Sequence, residues 1–323
     1  MIGLVQKTHA YYYQMISLLG QGGMADVLEC ARVTYLGGVV GTTRYAVKIL
    51  RERRDEEHHR RFATEATLLA RLRHPHLIPI LEVCIDVDPP YYVMPVMNGN
   101  LADHLNEMRA RGRLYRSLHA IRAVLMPIAG AVEYLHKNGV VHRDIKPDNI
   151  LFDMNNRPVL SDLSICHVSR VGYPELTWCG MGTENYTAPE TLQTGVATAR
   201  SDVFSLGVIL YEMLTGQLPR GYWWNVRCNL PSVQHPQSCH PYVDGLLAQM
   251  THPNPYMRYP TVTSVIYDLG ILLRSYLPRM PAYLPPRPRV AGGRATFGVS
   301  GTLPHLANHL RRGQRQPPAV PVV

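Results

Sequence analysis

The stretch VVHRDIKPDNILFD, residues 140–153, sets Arg143, Asp144, Lys146, Pro147, Asp148 and Asn149 between two short apolar runs. Charged and amide groups resist burial unless partners satisfy them. Any fold this chain adopts must therefore turn here. The turn can be a polar link between two buried strands, or a place where several groups converge on a ligand, and the stretch by itself leaves both readings open.

The rest of the chain narrows the choice. With 323 residues there is length for one large or two modest domains and a sizeable core. No uncharged apolar run reaches about 18 residues: VFSLGVILYEML and VTSVIYDLGILL are short or broken by an acid and read as buried helices, so no transmembrane segment is expected. The start, MIGLVQKTHAYYYQM, lacks the basic beginning and long apolar centre of a signal peptide. Cys30, Cys84, Cys166, Cys179, Cys228 and Cys239 are scattered without close pairing, as in a reduced protein, and a cytoplasmic location is expected. Cys228, His235, Cys239 and His240 lie near one another, but without the paired spacing of zinc ligands they read as local packing.

The net charge of +9 suggests a nucleic-acid partner until it is located. Residues 274–323 hold eight arginines and neither Asp nor Glu, so subtracting 8 from +9 leaves +1 for residues 1–273. That segment also holds nine prolines and includes LPRMPAYLPPRPR, which favours extended, solvated conformations over a packed core. It reads as a disordered tail. Docking or nucleic-acid binding through its arginines is the subordinate reading, because regularly interleaved aromatics are lacking.

Ahead of the tail, VLECARV and TRYAVKIL have strand character and flank a turn region containing Gly37, Gly38 and Gly41. RRFATEATLLARL repeats its apolar residues at helical spacing, and LHAIRAVLMPIAGAVEYLHKNG opens a mostly helical second half, with Gly139 as its stop. This is an α+β pattern: a small sheet-rich lobe, then a larger helical lobe, with a cleft between. In LLGQGGMADVLEC, Gly20, Gly22 and Gly23 precede Ala25, which stands where a G-x-G-x-x-G pattern has its last glycine. VLECARV continues as a strand and not as a helix, so the loop reads as a phosphate cover between strands and not as a dinucleotide fingerprint. Lys48 lies in the apolar strand YAVKIL and needs an anionic partner, for which Glu65 on the amphipathic helix is placed.

Taken in order, GQGGMADV, YAVK, Glu65, HRDIKPDN, SDLS, GTENYTAPE, RSDVFSLGVILYEMLTG and NPYMRYPT resemble the motifs of the bacterial eukaryotic-like Ser/Thr protein kinases. The resemblance implies a bilobal kinase domain over residues 13–273, with an N-lobe of about 13–97, a C-lobe of about 98–273, an N-terminal extension of 1–12 and the tail 274–323. It implies ATP-dependent phosphoryl transfer to Ser/Thr hydroxyls of protein substrates, with autophosphorylation. Asp144 would orient the acceptor hydroxyl, and Lys146 would neutralise charge near the transferred group. Asn149 and Asp162 would hold Mg²⁺. Gly20, Gly22, Gly23, Val27, Ala46, Lys48, Glu65, Met94, Val96 and Met97 would contact ATP, with Met94 as gatekeeper. Arg143, Thr177 and Thr183 would be regulatory, and Asp202, Glu190 and Arg258 structural.

Several positions depart from the family pattern. Ala25 replaces a glycine, Pro95 stands where an acid is common, and Leu163 with Ser164 follows Asp162 in place of Phe-Gly. They motivate an alternative, a pseudokinase that binds nucleotide as a scaffold. The retained Lys48, Glu65, Asp144, Asn149 and Asp162 favour the enzyme.

Overall fold

The computed structural model describes residues 3–5, 11–22, 24–34, 38–51, 56–112, 118–163, 167–168, 185–219 and 241–276. Its first half is an antiparallel sheet of six strands: β1 (Gly3–Val5), β2 (Tyr11–Gln21), β3 (Ala25–Thr34), β4 (Val39–Leu50), β5 (Glu82–Cys84) and β6 (Tyr91–Pro95). Their order across the sheet is β1-β2-β3-β4-β6-β5. The helix α1 (Glu56–Arg71) lies between β4 and β5 in the chain and buries Phe62, Glu65, Ala66, Leu68 and Leu69 on one face.

Strand alternation sorts the sheet residues between two apolar clusters. Ala46 and Leu50 of β4, with Tyr92 and Met94 of β6, join the main core, whereas Val47, Tyr91 and Val93 join a smaller one with Tyr13, Cys30 and Cys84. Lys48 shares the parity of Ala46 and Leu50, so it is directed toward the interior side. Cys30 and Cys84 are free thiols buried in the smaller cluster. Burial pushes the Cys30 thiol up to about 12, and it packs as a small apolar group.

The helical half begins with α2 (Leu101–Ala110) and α3 (Leu118–Lys137). Along α3, Ile121, Val124, Leu125, Ile128, Ala131, Val132 and Leu135 form a buried stripe at helical spacing. Packing on both sides carries the helix through Pro127, which by itself would favour a break. The chain reverses at Gly139, whose φ of 74° is open to glycine at little cost. Four short strands follow: β7 (Val140–Val141), β8 (Ile150–Phe152), β9 (Pro158–Leu160) and β10 (His167–Val168), paired as β10-β7 and β8-β9.

The helices α4 (Pro189–Thr194) and α5 (Ala199–Thr215) come next, then helices Pro241–Met250 and Val262–Tyr276. Ser201 through Thr215 of α5 are all buried, as its apolar sequence requires. A side chain at Gly207 would meet Thr251 Cγ2 at 2.6 Å and Met250 Cβ at 2.9 Å, so this glycine lets the helix Pro241–Met250 come close.

Three local boundaries differ from the sequence reading. Gly3–Val5 pairs with Tyr12–Gln14, so part of the expected N-terminal extension is an edge strand. Gly41 lies within β4 at φ 71° and not in the turn before it. The last helix passes the expected edge at 273 and runs to Tyr276; Pro278, two residues on, biases the residue before it away from helix.

Candidate active site

Lys48 and Tyr92 face each other in the β4–β6 ladder, and Ala46 faces Met94 in the same ladder. From this strand pair the Lys48 ammonium reaches Glu65 Oε1 on α1 at 2.8 Å and Asp162 Oδ1 after β9 at 3.2 Å. Three elements remote in sequence thus meet at one nitrogen. Burial opposes the charge on Lys48, yet Asp162 and Glu65 together hold its pKa well above the usual lysine range. Burial raises the Glu65 carboxyl, while Lys48 pulls it back.

The second group of side chains stands on the loop between β7 and β8. Lys146 Nζ lies 2.8 Å from Asp144 Oδ2. Asn149 Nδ2 donates to both the main-chain oxygen of Asp144, at 2.8 Å, and its Oδ2, at 3.0 Å. The main-chain N–H of Ser161 donates to Asn149 O at 2.9 Å and the Ser161 hydroxyl to the same oxygen at 3.1 Å, which sets Asp162 beside this loop. His142 packs fully buried and bonds the Ser161 carbonyl through Nε2 at 3.1 Å, a structural position.

Two strained residues mark the site, one on this loop and one after β9. Arg143 has φ 72° and Asp162 φ 65°, a region that costs non-glycine residues about 1–3 kcal/mol and persists where surroundings fix it. Asp202, at the start of α5, does so for Arg143. Its Oδ1 accepts the Arg143 N–H at 3.0 Å, and its Oδ2 accepts the His142 N–H at 2.9 Å and meets His136 Nε2 at 2.7 Å. Leu163 is buried in the main core, where an apolar residue is needed.

Further out, Glu190 and Arg258 form a two-pronged pair with both contacts at 2.7 Å. The same guanidinium donates to the carbonyls of Arg200, His252 and Pro253.

Of the expected nucleotide contacts, Val27, Ala46, Met94, Val96 and Met97 pack in or against the main core. Gly20, next to last in β2, pairs with Val27, and the Gly22 N–H donates to Ala25 O at 2.9 Å across the glycine turn. Ala25 is an extended strand residue buried in the core, so its methyl contributes packing without demanding a glycine conformation. Gly23, Ser164, Thr177, Thr183, the Cys228–His240 group and the tail from residue 277 on lie outside the described residues.

Sequence reasoning missed two features. Tyr92 donates from its hydroxyl to Glu65 Oε1 at 3.0 Å. Glu212 of α5 pairs with Arg109 of α2 and accepts from the Tyr186 hydroxyl at 2.6 Å. The signal for the latter was present: an acid inside the apolar run VILYEML needs a cation or donor.

A two-lobed fold with a lysine–carboxylate pair in the sheet lobe and an Asp-Lys-Asn loop in the helical lobe defines the class. Residues 13–268 match the family described as Protein kinase domain, and the chain belongs to that family. Among its relatives are bacterial Ser/Thr kinases. It is 31% identical over 291 residues to serine/threonine-protein kinase PrkC of Bacillus subtilis, covering 82% of this chain and 41% of that protein. It is 30% identical over 291 residues to serine/threonine-protein kinase PknD of Chlamydia caviae, covering 80% and 30%. Over 212 residues it is 34% identical to the DNA damage-responsive serine/threonine-protein kinase RqkA of Deinococcus radiodurans, covering 64% and 30%. The chain therefore spans less than half the length of these relatives. Among the described residues no helix is long and apolar enough to cross a membrane.

Proposed function

We propose that this domain transfers the terminal phosphoryl group of ATP to Ser and Thr hydroxyls of proteins, its own chain included. The observation that carries this reading is the Lys48 ammonium held between Glu65 and Asp162. That arrangement keeps a fixed positive charge facing the place where nucleotide phosphates would lie. Asp144, two residues from its lysine partner, is the group that takes or orients the acceptor hydroxyl proton. Lys146 offsets charge building up on the transferred group.

The donor set suits a hard divalent cation such as Mg²⁺. Asp162 offers carboxylate oxygens on a partly exposed side chain. Asn149 spends its amide N–H groups on Asp144, which leaves its oxygen as the atom able to face a metal. Mg²⁺ held by Asp162 and Asn149 would supply positive charge that offsets the charge of the nucleotide phosphates. Adenine would rest against Val27, Ala46 and Met94, with main-chain groups around Pro95 to Met97 beside it.

We place this chemistry in the cytoplasm, where ATP and reduced thiols coexist. Thr177 is assigned as an autophosphorylation site whose phosphate engages Arg143, with Glu175 supplying weaker permanent charge and Thr183 meeting the catalytic loop.

One experiment tests the whole reading: labelled-phosphate transfer from Mg-ATP to a generic Ser/Thr acceptor, with mass-spectrometric site mapping, on the parent chain and Asp144→Asn. Transfer is expected to fall by about 10²–10⁴ in the variant, and Thr177 is expected among the mapped sites. Equal signal from both proteins overturns the assignment. Nucleotide binding without transfer in the parent establishes the scaffold alternative.

A further inference from the structure

The Lys48–Glu65 pair has a third member. Tyr92 stands opposite Lys48 in the strand ladder, its ring lies 5.7 Å from the Lys48 nitrogen, and its hydroxyl donates to Glu65 Oε1. The phenol is 2% exposed, and its ring packs on Phe62 of α1 at 5.4 Å. Both donors therefore converge on one carboxylate oxygen. The other, Oε2, is buried and has no hydrogen-bond partner among the described residues. The orientation of the Glu65 carboxylate thus rests on Lys48 and Tyr92 together.

Lys48 is shared. It already divides its donors between Glu65 and Asp162, and phosphates in the cleft would draw on the same ammonium. A buried carboxylate that loses its donor bears a large desolvation cost. A neutral hydroxyl that stays on Oε1 removes part of that cost without competing for the phosphates.

We propose that Tyr92 is a positioning residue for phosphoryl transfer, its hydroxyl holding Glu65 Oε1 in place while Lys48 is divided between Glu65, Asp162 and the nucleotide. Tyr92 touches neither nucleotide nor acceptor in this role; it acts through Glu65. The proposal rests on the kinase reading of the site for its catalytic consequence, though the placement of the hydroxyl does not.

Groups facing the Glu65 carboxylate are Lys48 from β4, Tyr92 from β6 and Asp162 from the segment after β9, with Phe62 supplying apolar contact from α1 itself. Burial and Asp162 raise the Glu65 pKa above 4.5, while Lys48 and the Tyr92 hydroxyl lower it. Loss of the hydroxyl must then raise it further, and the acidic limb of activity must move to higher pH.

The test uses the full chain with Tyr92→Phe, which keeps the ring on Phe62, and Tyr92→Leu, which removes both ring and hydroxyl. With Mg-ATP and a Ser/Thr acceptor, Tyr92→Phe is expected to lower kcat/KM for ATP about tenfold and to shift the acidic limb up by about one pH unit. Its Tm should stay within a few degrees of the parent. In parallel, the Glu65 carboxyl carbon in ¹³C-glutamate-labelled protein, identified by its disappearance in Glu65→Gln, is titrated by NMR in parent and variants. An upward shift common to Phe and Leu supports the proposal. A Glu65 titration unchanged by either substitution overturns it, whether or not the parent turns over ATP, so failure here is separable from failure of the kinase reading.

Discussion

On the sheet side of the site, Lys48, Glu65 and Asp162 meet through the tips of side chains, each carried by a different element. On the helical side, the loop bearing Asp144 hangs by its main-chain N–H groups from Asp202, a residue of α5 that is fully buried. Contacts between tips can be made and broken while the backbone stays put. A backbone hung from a buried carboxylate has no such freedom. The helical side thus holds a shape, and on the proposed kinase reading the sheet side assembles around a ligand, which would separate residues that support the fold from residues that support turnover.

The difference is broken most directly at Arg258. Arg258 is 2% exposed, and its guanidinium holds both Glu190 oxygens and supplies donors to the carbonyl of Arg200 in the first turn of α5 and to those of His252 and Pro253. Removing it leaves the partly exposed Glu190 with the Ser201 hydroxyl as its remaining donor and takes the guanidinium's donors from three carbonyls, a loss of about 3 kcal/mol, the low end for breaking a buried pair. Arg258→Met should therefore lower unfolding free energy by about that amount in denaturant titration. A loss below about 1 kcal/mol, the scale of an exposed pair, would show that the helical side does not depend on this brace.

The opposite pattern is expected at Lys48. Lys48→Met keeps much of the aliphatic stem and removes only the charged tip. Phosphoryl transfer should fall by about 10²–10³, the range for removing a fixed electrostatic group from an active site. Unfolding should change less than at Arg258: the ammonium's own burial cost disappears, Asp162 is partly exposed, and the Glu65 left behind keeps the Tyr92 hydroxyl and can take up a proton, burial having already raised its pKa. Activity assays and thermal melts on one preparation check both halves; a large fall in Tm would place Lys48 with the fold-supporting residues and erase the distinction.

How far these roles could be read without coordinates follows the same line. The strands, the amphipathic helix carrying Glu65 and the stop at Gly139 are written in local periodicity and glycine placement, and they appear at those positions. Lys48 was conspicuous as a lone charge in an apolar strand. Tyr92 was not, because an aromatic in YYVMP reads as ordinary core, and its partner depends on a strand register that sequence does not specify. The edge strand Gly3–Val5 was hidden for a related reason: three residues carry no period, and their pairing is tertiary. Glu212 and Arg109 lie 103 residues apart and meet only through the packing of α2 against α5.

The finest test lies at Asp202, where the two sides touch. Asp202→Asn keeps the shape but replaces one acceptor oxygen with an NH₂ group. Oδ2 serves two donors, the His142 N–H and the His136 ring, so the amide should keep its oxygen there and turn its NH₂ toward Arg143. Donor then faces donor at the one main-chain N–H that anchors the left-handed Arg143. The cost should be about 1–3 kcal/mol of stability, that of a buried donor left unsatisfied. Because Asp144 is the next residue, transfer should fall together with stability, whereas at Lys48 transfer falls far more than stability. Unfolding and kinetics measured together decide it: loss of turnover with unchanged stability would mean that Asp202 acts on the chemistry without holding the loop, and the contrast between the two sides would have to be redrawn.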